Sequence, residues 1–122
     1  MQKFHSERLL AVILDREAEK WFKPAKGQVL IFYKSGTDHL EYQPDFIAET
    51  KESIYMLEPK ARNQMEDADV PAKRDAAVQW CQQASAHAAA CSGKPWRYAL
   101  IPHDAIAGNM TLTGLVGQFG TA

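Results

Sequence analysis

Two short β-prone runs stand only a turn apart in this chain, and their charges restrict how they can pack. Glu41 to Thr50 and Ile54 to Ala61 are separated by the polar Lys51-Glu52-Ser53. Runs of this length joined by a tight turn read as antiparallel strands. Side chains two apart on a strand share a face, so Glu58 and Lys60 point the same way as Ile54 and Met56. Asp45 opens the apolar Phe46-Ile47-Ala48 on the neighbouring strand. A face that carries both apolar residues and charges is partly buried, and burying charge without a ligand is unfavourable.

The surrounding pattern extends this pair into a layered fold. A 3.6-residue stripe of Leu10, Ile13, Leu14, Ala18 and Trp21 predicts a helix from about Glu7 to Trp21, capped by Ser6 and stopped by Pro24 and Gly27. Gln28 to Tyr33 reads as a first strand, followed by the turn cluster Ser35-Gly36-Thr37-Asp38. Three strands with short connections predict a meander. Arg62 to Asp69 reads as loop. A long helix then runs from Asp69 to about Cys91 on the stripe Ala77, Trp80, Cys81, Ala84, Ala88 and Cys91, ended by Gly93 and Pro95. Trp96 to Ile101 is a fourth strand, which a helical crossover returns parallel to a neighbour. Pro102-His103-Asp104 reads as a turn. The expected architecture is an α/β/α sandwich, order αβββαβ, around a mixed sheet. The 122 residues are expected to form one domain, with 108–122 either a peripheral tail that frays or a segment that adds a short strand or helix.

Composition narrows the setting. Apolar content of 46% and charged content of 24% suit a globular protein. Leu9 to Leu14 is far too short to span a bilayer, so no membrane role is expected. Met1 to His5 leads into a charged amphipathic stretch rather than a secretion signal. Cys81 and Cys91 lie about 15 Å apart on one helix, too far for a disulfide, and are expected to pack as small buried hydrophobes of a cytoplasmic protein. No phosphate loop is present, so ATPase activity is not expected from these residues. The net charge of −1 provides no global attraction for nucleic acid.

Two carboxylates and an ammonium on adjacent strands are the groups that metal-assisted phosphodiester hydrolysis uses. Pro44-Asp45 on the second strand and Glu58-Pro59-Lys60 on the third resemble the PD-(D/E)XK nuclease superfamily. Glu7 to Leu14, Glu19 to Pro24, Tyr42 to Ile47, Leu57 to Lys60, Ala76 to Cys81 and Lys94 to Tyr98 together resemble the C-terminal endonuclease domain of type III restriction enzyme restriction subunits, over about residues 6 to 106. The resemblance implies a restriction-endonuclease-like fold and a Mg²⁺ ion, with Mn²⁺ as substitute. Asp45, Glu58 and the backbone carbonyl of Pro59 would be its ligands, Lys60 the catalytic lysine, and Glu7 a further carboxylate from the first helix. It also implies double-stranded DNA as substrate, a helicase/ATPase region in a parent chain and a methyltransferase or recognition subunit. Lys73 and Arg74, at the start of the second long helix, are candidate DNA phosphate contacts.

Each of these residues has a plainer account. Asp45 suits a turn after Pro44, and Glu58 with Lys60 suits an exposed pair of little energetic worth. Glu7 suits the first turn of a helix, and Lys73 with Arg74 suits a solvated face. Pro59 lacks an amide proton, which predicts an irregular or unpaired third strand at that point. That irregularity favours the rival reading of a catalytically inert module for DNA binding or assembly. A repair or transposition nuclease of the same fold is a second rival. His5, His39 and His87 lack zinc-ligand spacing. Trp80, Trp96 and Tyr98 are expected in the core rather than as base-stacking platforms.

Overall fold

In the computed structural model of the protein, the backbone is described for residues 2–25, 28–29, 31–35, 38–61, 69–107 and 109–121. Side chains are described for 7–25, 28–29, 31–33, 40–61, 70–107 and 109–120. The elements run α1 (Gln2–Glu17), β1 (Lys20–Phe22), β2 (Ile31–Ser35), β3 (Asp38–Tyr42), β4 (Phe46–Glu49) and β5 (Ile54–Lys60). They continue with α2 (Asp69–Ala90), β6 (Trp96–Pro102), a 3₁₀ turn at His103–Ala105, α3 (Leu112–Phe119) and β7 (Gly120–Thr121). Five strands form one sheet in the order β1-β4-β5-β6-β7, and β2 and β3 form a separate antiparallel ribbon. The long crossover through α2 brings β6 parallel to β5, as expected, and the other pairings in the sheet are antiparallel.

The alternation of the central strands divides the core in two. Phe46, Ala48, Leu57, Ala99 and Ile101 pack under Leu10, Ile13 and Leu14 of α1 and Leu112, Leu115 and Val116 of α3. Ile47, Met56, Tyr98 and Leu100 pack under Val70, Ala77 and Cys81 of α2, with Ile31 of the ribbon. Helices thus cover both faces of a mixed sheet, which hides its near-continuous apolar strands from water. Each fully buried Leu or Ile in these layers contributes about 2 kcal/mol of transfer free energy.

Several expectations are corrected. Helix α1 starts at Gln2, so Ser6 lies inside it and is not its cap. It stops at Glu17, because Lys20–Phe22 leaves the helical path to pair with Ile47–Glu49 as an edge strand. The indole of Trp21 donates to Asp15 Oδ1 at 2.7 Å, which fixes that turn. The first expected strand does not join a meander: its Ile31–Tyr33 part belongs to β2, which runs on to Ser35 and pairs with Asp38–Tyr42 instead of the main sheet. The expected strand from Glu41 to Thr50 is two strands, broken at Gln43, Pro44 and Asp45. Of the alternatives for the tail, the added helix and strand hold, as α3 and β7, with the Thr111 hydroxyl accepting from Gly114 N to cap α3. Helix α2 ends on a left-handed residue that is Ser92 (φ 58°) rather than glycine. Cys81 is buried, whereas Cys91, just past α2, is exposed. The turn at Gly36 and Thr37, the stop at Gly27 and the loop at 62–68 lie outside the described residues. No helix among the described residues is long and apolar enough to cross a membrane.

Candidate active site

The break between β3 and β4 is what places Asp45. Antiparallel pairing of β4 with β5 ends at Phe46 opposite Leu57. Continued past its last pair, that register would set Asp45 opposite Glu58 and Pro44 opposite Pro59. Ile54 donates its amide to the carbonyl of Pro95, on the β6 side. Successive residues of a strand address opposite neighbours. Tyr55, Leu57 and Pro59 therefore address β4, and Glu58 and Lys60 address β6. Asp45 and Glu58 would then occupy a non-hydrogen-bonded position, where opposing side chains approach most closely.

This geometry bears out the expectation for Pro59 on one side only: it lies beyond the β4 pairing, which ends at Leu57, but stays paired on the β6 side. β5 is regular through Lys60, with Pro59 opposite Ile101 and Lys60 opposite Pro102 on β6. The amide that Pro59 lacks would have pointed towards Pro44, which cannot donate either. Two prolines, both almost wholly buried, thus end the ladder without leaving an amide proton unsatisfied. The Pro59 carbonyl remains, directed to the side on which Asp45 lies. Gln43 holds the break from the other direction by donating to the carbonyl of Pro24 at 2.7 Å.

Glu58 and Lys60 lie on the α2 face beside Met56, and with Val70, Lys73, Tyr98 and Leu100 they line a cleft of about 10 Å³. That is space for about one water-sized occupant. Burial is the main influence that pushes the Glu58 carboxyl up from 4.5 to about 7, and the charge of Asp45 adds to it. Lys60, a hydrogen bond from Tyr98 and the charge of Lys73 act in the opposite sense without cancelling these effects. The Tyr98 hydroxyl donates to Glu58 Oε2 at 3.2 Å. Burial first, then the charge of Glu58, raises the Tyr98 phenol above its ordinary value, and the same two causes raise Tyr42.

Lys73 enters this cleft from the first turns of α2. Its ammonium stands 5.6 Å from the ring centroid of Tyr33 and 5.9 Å from that of Tyr42. Tyr42 in turn donates its hydroxyl to the Lys73 carbonyl at 3.2 Å. The ribbon thus holds the start of α2 through two aromatic rings and a hydrogen bond. Arg74 is more exposed, lies 3.9 Å from Asp75 and reaches the cleft only through its charge on Tyr98.

Glu7 is placed differently. Its Oε1 accepts from Lys23 Nζ at 2.7 Å, and that ammonium stands 5.2 Å from the Phe46 ring centroid, on the α1 face. Glu7 is not among the charges that act on Glu58. Asp45, Glu58, Lys60 and Lys73 are brought into one electrostatic neighbourhood, whereas Glu7 is engaged by Lys23. Tyr98 and Tyr42 are members that the sequence reading missed. Their only sequence signal is an aromatic body with a hydroxyl that seeks a partner when buried.

The donor set fits a hard divalent cation. Asp45 and Glu58 repel each other, and the Pro59 carbonyl lies towards the same side. Mg²⁺ commonly takes one or two carboxylates and keeps several waters. Among the described residues no group of three or more His, Cys, Asp or Glu side chains is arranged to hold a metal. A larger cavity, about 320 Å³, lies at the other end of the β4–β5 hairpin and includes Glu17, Lys51, Tyr55 and Leu112. Size alone would favour it, but Glu17 is already engaged there, accepting the Leu112 amide at 2.9 Å. The small cleft has the buried, mutually repelling charges that mark functional sites.

Comparison with family models, with curated proteins and with solved structures finds no match to this chain.

Proposed function

We propose that the protein is a Mg²⁺-dependent endonuclease domain of restriction-endonuclease-like fold that hydrolyses phosphodiester bonds in double-stranded DNA. The observation that carries this reading is the juxtaposition of Asp45 and Glu58, with Glu58 raised to about 7 by burial and by its acidic neighbour. Asp45, Glu58 and the Pro59 carbonyl would hold the ion, with Mn²⁺ as substitute. When bound, the cation supplies Lewis acidity and a water that ionises more readily.

The chain's own residues account for the rest. Glu58 must release its proton to serve as a ligand, so the site gains capacity as pH rises through about 7. Lys60 presents an ammonium on the same face and stabilises negative charge as it builds on the phosphoryl oxygens. Lys73, held on its two tyrosine rings, meets a phosphate next to the scissile one, and Arg74 adds charge further out. Glu7 joins the site only if Lys23 releases it. A net charge of −1 leaves DNA capture to other parts of a larger assembly: a helicase/ATPase region and a methyltransferase or recognition subunit of a cytoplasmic, type III-like restriction or helicase-coupled system. Pro59 keeps its pairing with β6, so the irregularity that favours an inert module is confined to the β4 side.

A metal-titrated cleavage assay on supercoiled plasmid, paired with metal-dependent melting, tests the reading. Nicking that requires Mg²⁺ or Mn²⁺ and disappears in Asp45→Ala is the expected result. A melting shift in Asp45→Ala equal to that of the unaltered protein would remove Asp45 as a ligand and overturn the site.

A further inference from the structure

We infer that Tyr98 is the positioning residue of the proposed metal site: its hydroxyl holds one Glu58 oxygen so that the other is presented towards Asp45. The inference rests on the metal reading above and adds a residue from β6 to it. Tyr98 is 1% exposed and lies mid-strand, opposite Met56 in the parallel register. Glu58 follows Met56 by two on the same face, which brings its carboxylate to the phenol, 3.2 Å away at Oε2.

A buried tyrosine hydroxyl needs a partner, and here that partner is a carboxylate beside a second carboxylate. A glutamate side chain with three rotatable bonds has many ways to turn away from Asp45. Donation from a rigid core ring restricts it to orientations that leave Oε1 as the free ligand atom. Partners of this kind, which hydrogen-bond a metal ligand without touching the metal, typically contribute tenfold to hundredfold in affinity. Burial explains only why the ring packs under α2. It does not require that the hydroxyl meet this side chain.

Isothermal calorimetry with Mn²⁺ on the full chain, for the unaltered protein, Tyr98→Phe and Tyr55→Phe, tests the assignment. Tyr98→Phe keeps the ring and is expected to bind Mn²⁺ about tenfold more weakly while still unfolding in one cooperative urea transition. Tyr55→Phe, which alters a tyrosine packed against the α1-side core, should bind as the unaltered protein does. Saturating metal should also produce a tyrosine difference absorbance in the unaltered protein, a readout that needs no variant. Equal affinity in Tyr98→Phe, or no tyrosine perturbation at saturation, would overturn the role of Tyr98 while the metal site stands. No binding heat in the unaltered protein would overturn the metal reading itself, and this inference with it.

Discussion

At the C-terminal end of β4, Glu49 meets the Lys94 ammonium at 2.7 Å, and Glu19 meets the same ammonium at 3.3 Å. Near its N-terminal end, Asp45 and Glu58 share the neighbourhood of Lys60. Each group sets two carboxylates against lysine, one ammonium in the first and two (Lys60 and Lys73) in the second, yet the outcomes are opposite. Lys94 lowers the Glu49 carboxyl through a direct hydrogen bond, and Glu49 raises Lys94 in return. Lys94 also donates to the Thr50 carbonyl, which ties the approach to β6 to the β4–β5 turn. At the other end burial and Asp45 outweigh Lys60, and Glu58 rises. Residue type therefore does not decide whether a charge cluster is a brace or a site. Direct contact in water makes the first, and exclusion from water with incomplete compensation makes the second.

The widest separation between the two clusters should appear in catalysis. Lys60→Ala and Asp45→Ala are expected to lose plasmid cleavage by about 10²–10³-fold or more, whereas Lys94→Ala should cut at the unaltered rate. Equal losses in all three would erase the distinction. Metal linkage comes next. At concentrations about a hundredfold above its dissociation constant, Mg²⁺ or Mn²⁺ should raise the melting temperature by about 5–10 °C. Asp45→Ala should remove that rise and Lys94→Ala should not.

The pH response sharpens the contrast further, because the two signs are opposite. The folded protein keeps the Glu58 proton up to about pH 7, and the unfolded chain releases it near 4.5. The stabilisation from this group is complete below the unfolded value and is lost as pH rises through about 7. Glu58→Gln should therefore stabilise the metal-free protein at pH 8 by on the order of 2 kcal/mol, a gain that fades towards pH 5 in urea titrations. Glu49 behaves inversely: its contribution is present above the ordinary carboxylate value and is lost as pH falls through its depressed one. The smallest effect is expected for Lys94→Met, a slight lowering of the urea midpoint that high salt abolishes.

Much of the centre of this fold was legible in the sequence because its elements obey one period each. β5 and β6 are long unbroken β-prone runs on either side of the long helix α2, and a helical crossover between two strands sets their parallel pairing. The edges were not legible. Trp21 continues the α1 stripe and also suits a strand, and only the partner at Ile47–Glu49 decides between them. Glu41 to Thr50 reads as one strand because its break uses a single proline, while the diversion of Tyr42 into the ribbon depends on a pairing with Ile31. Within the site, Glu58 and Lys60 follow from two-residue alternation alone. Tyr98 does not, since its approach to Glu58 requires the register between two strands that are 40 residues apart at this contact. The engagement of Glu7 by Lys23 was equally hidden, because nothing in the periodicity of α1 indicates a cation 16 residues on.

The facing prolines at the end of the β4–β5 ladder have a consequence for molecular recognition by backbone alone. An incoming peptide that tried to extend this seam as an added strand would find carbonyl lone pairs and no amide proton at the two proline positions. Strand addition uses both, so these positions weaken such pairing. A cation or a water molecule needs only the lone pairs. Pro44 and Pro59 thus act as a filter on what kind of visitor can occupy the gap, before any side chain takes part.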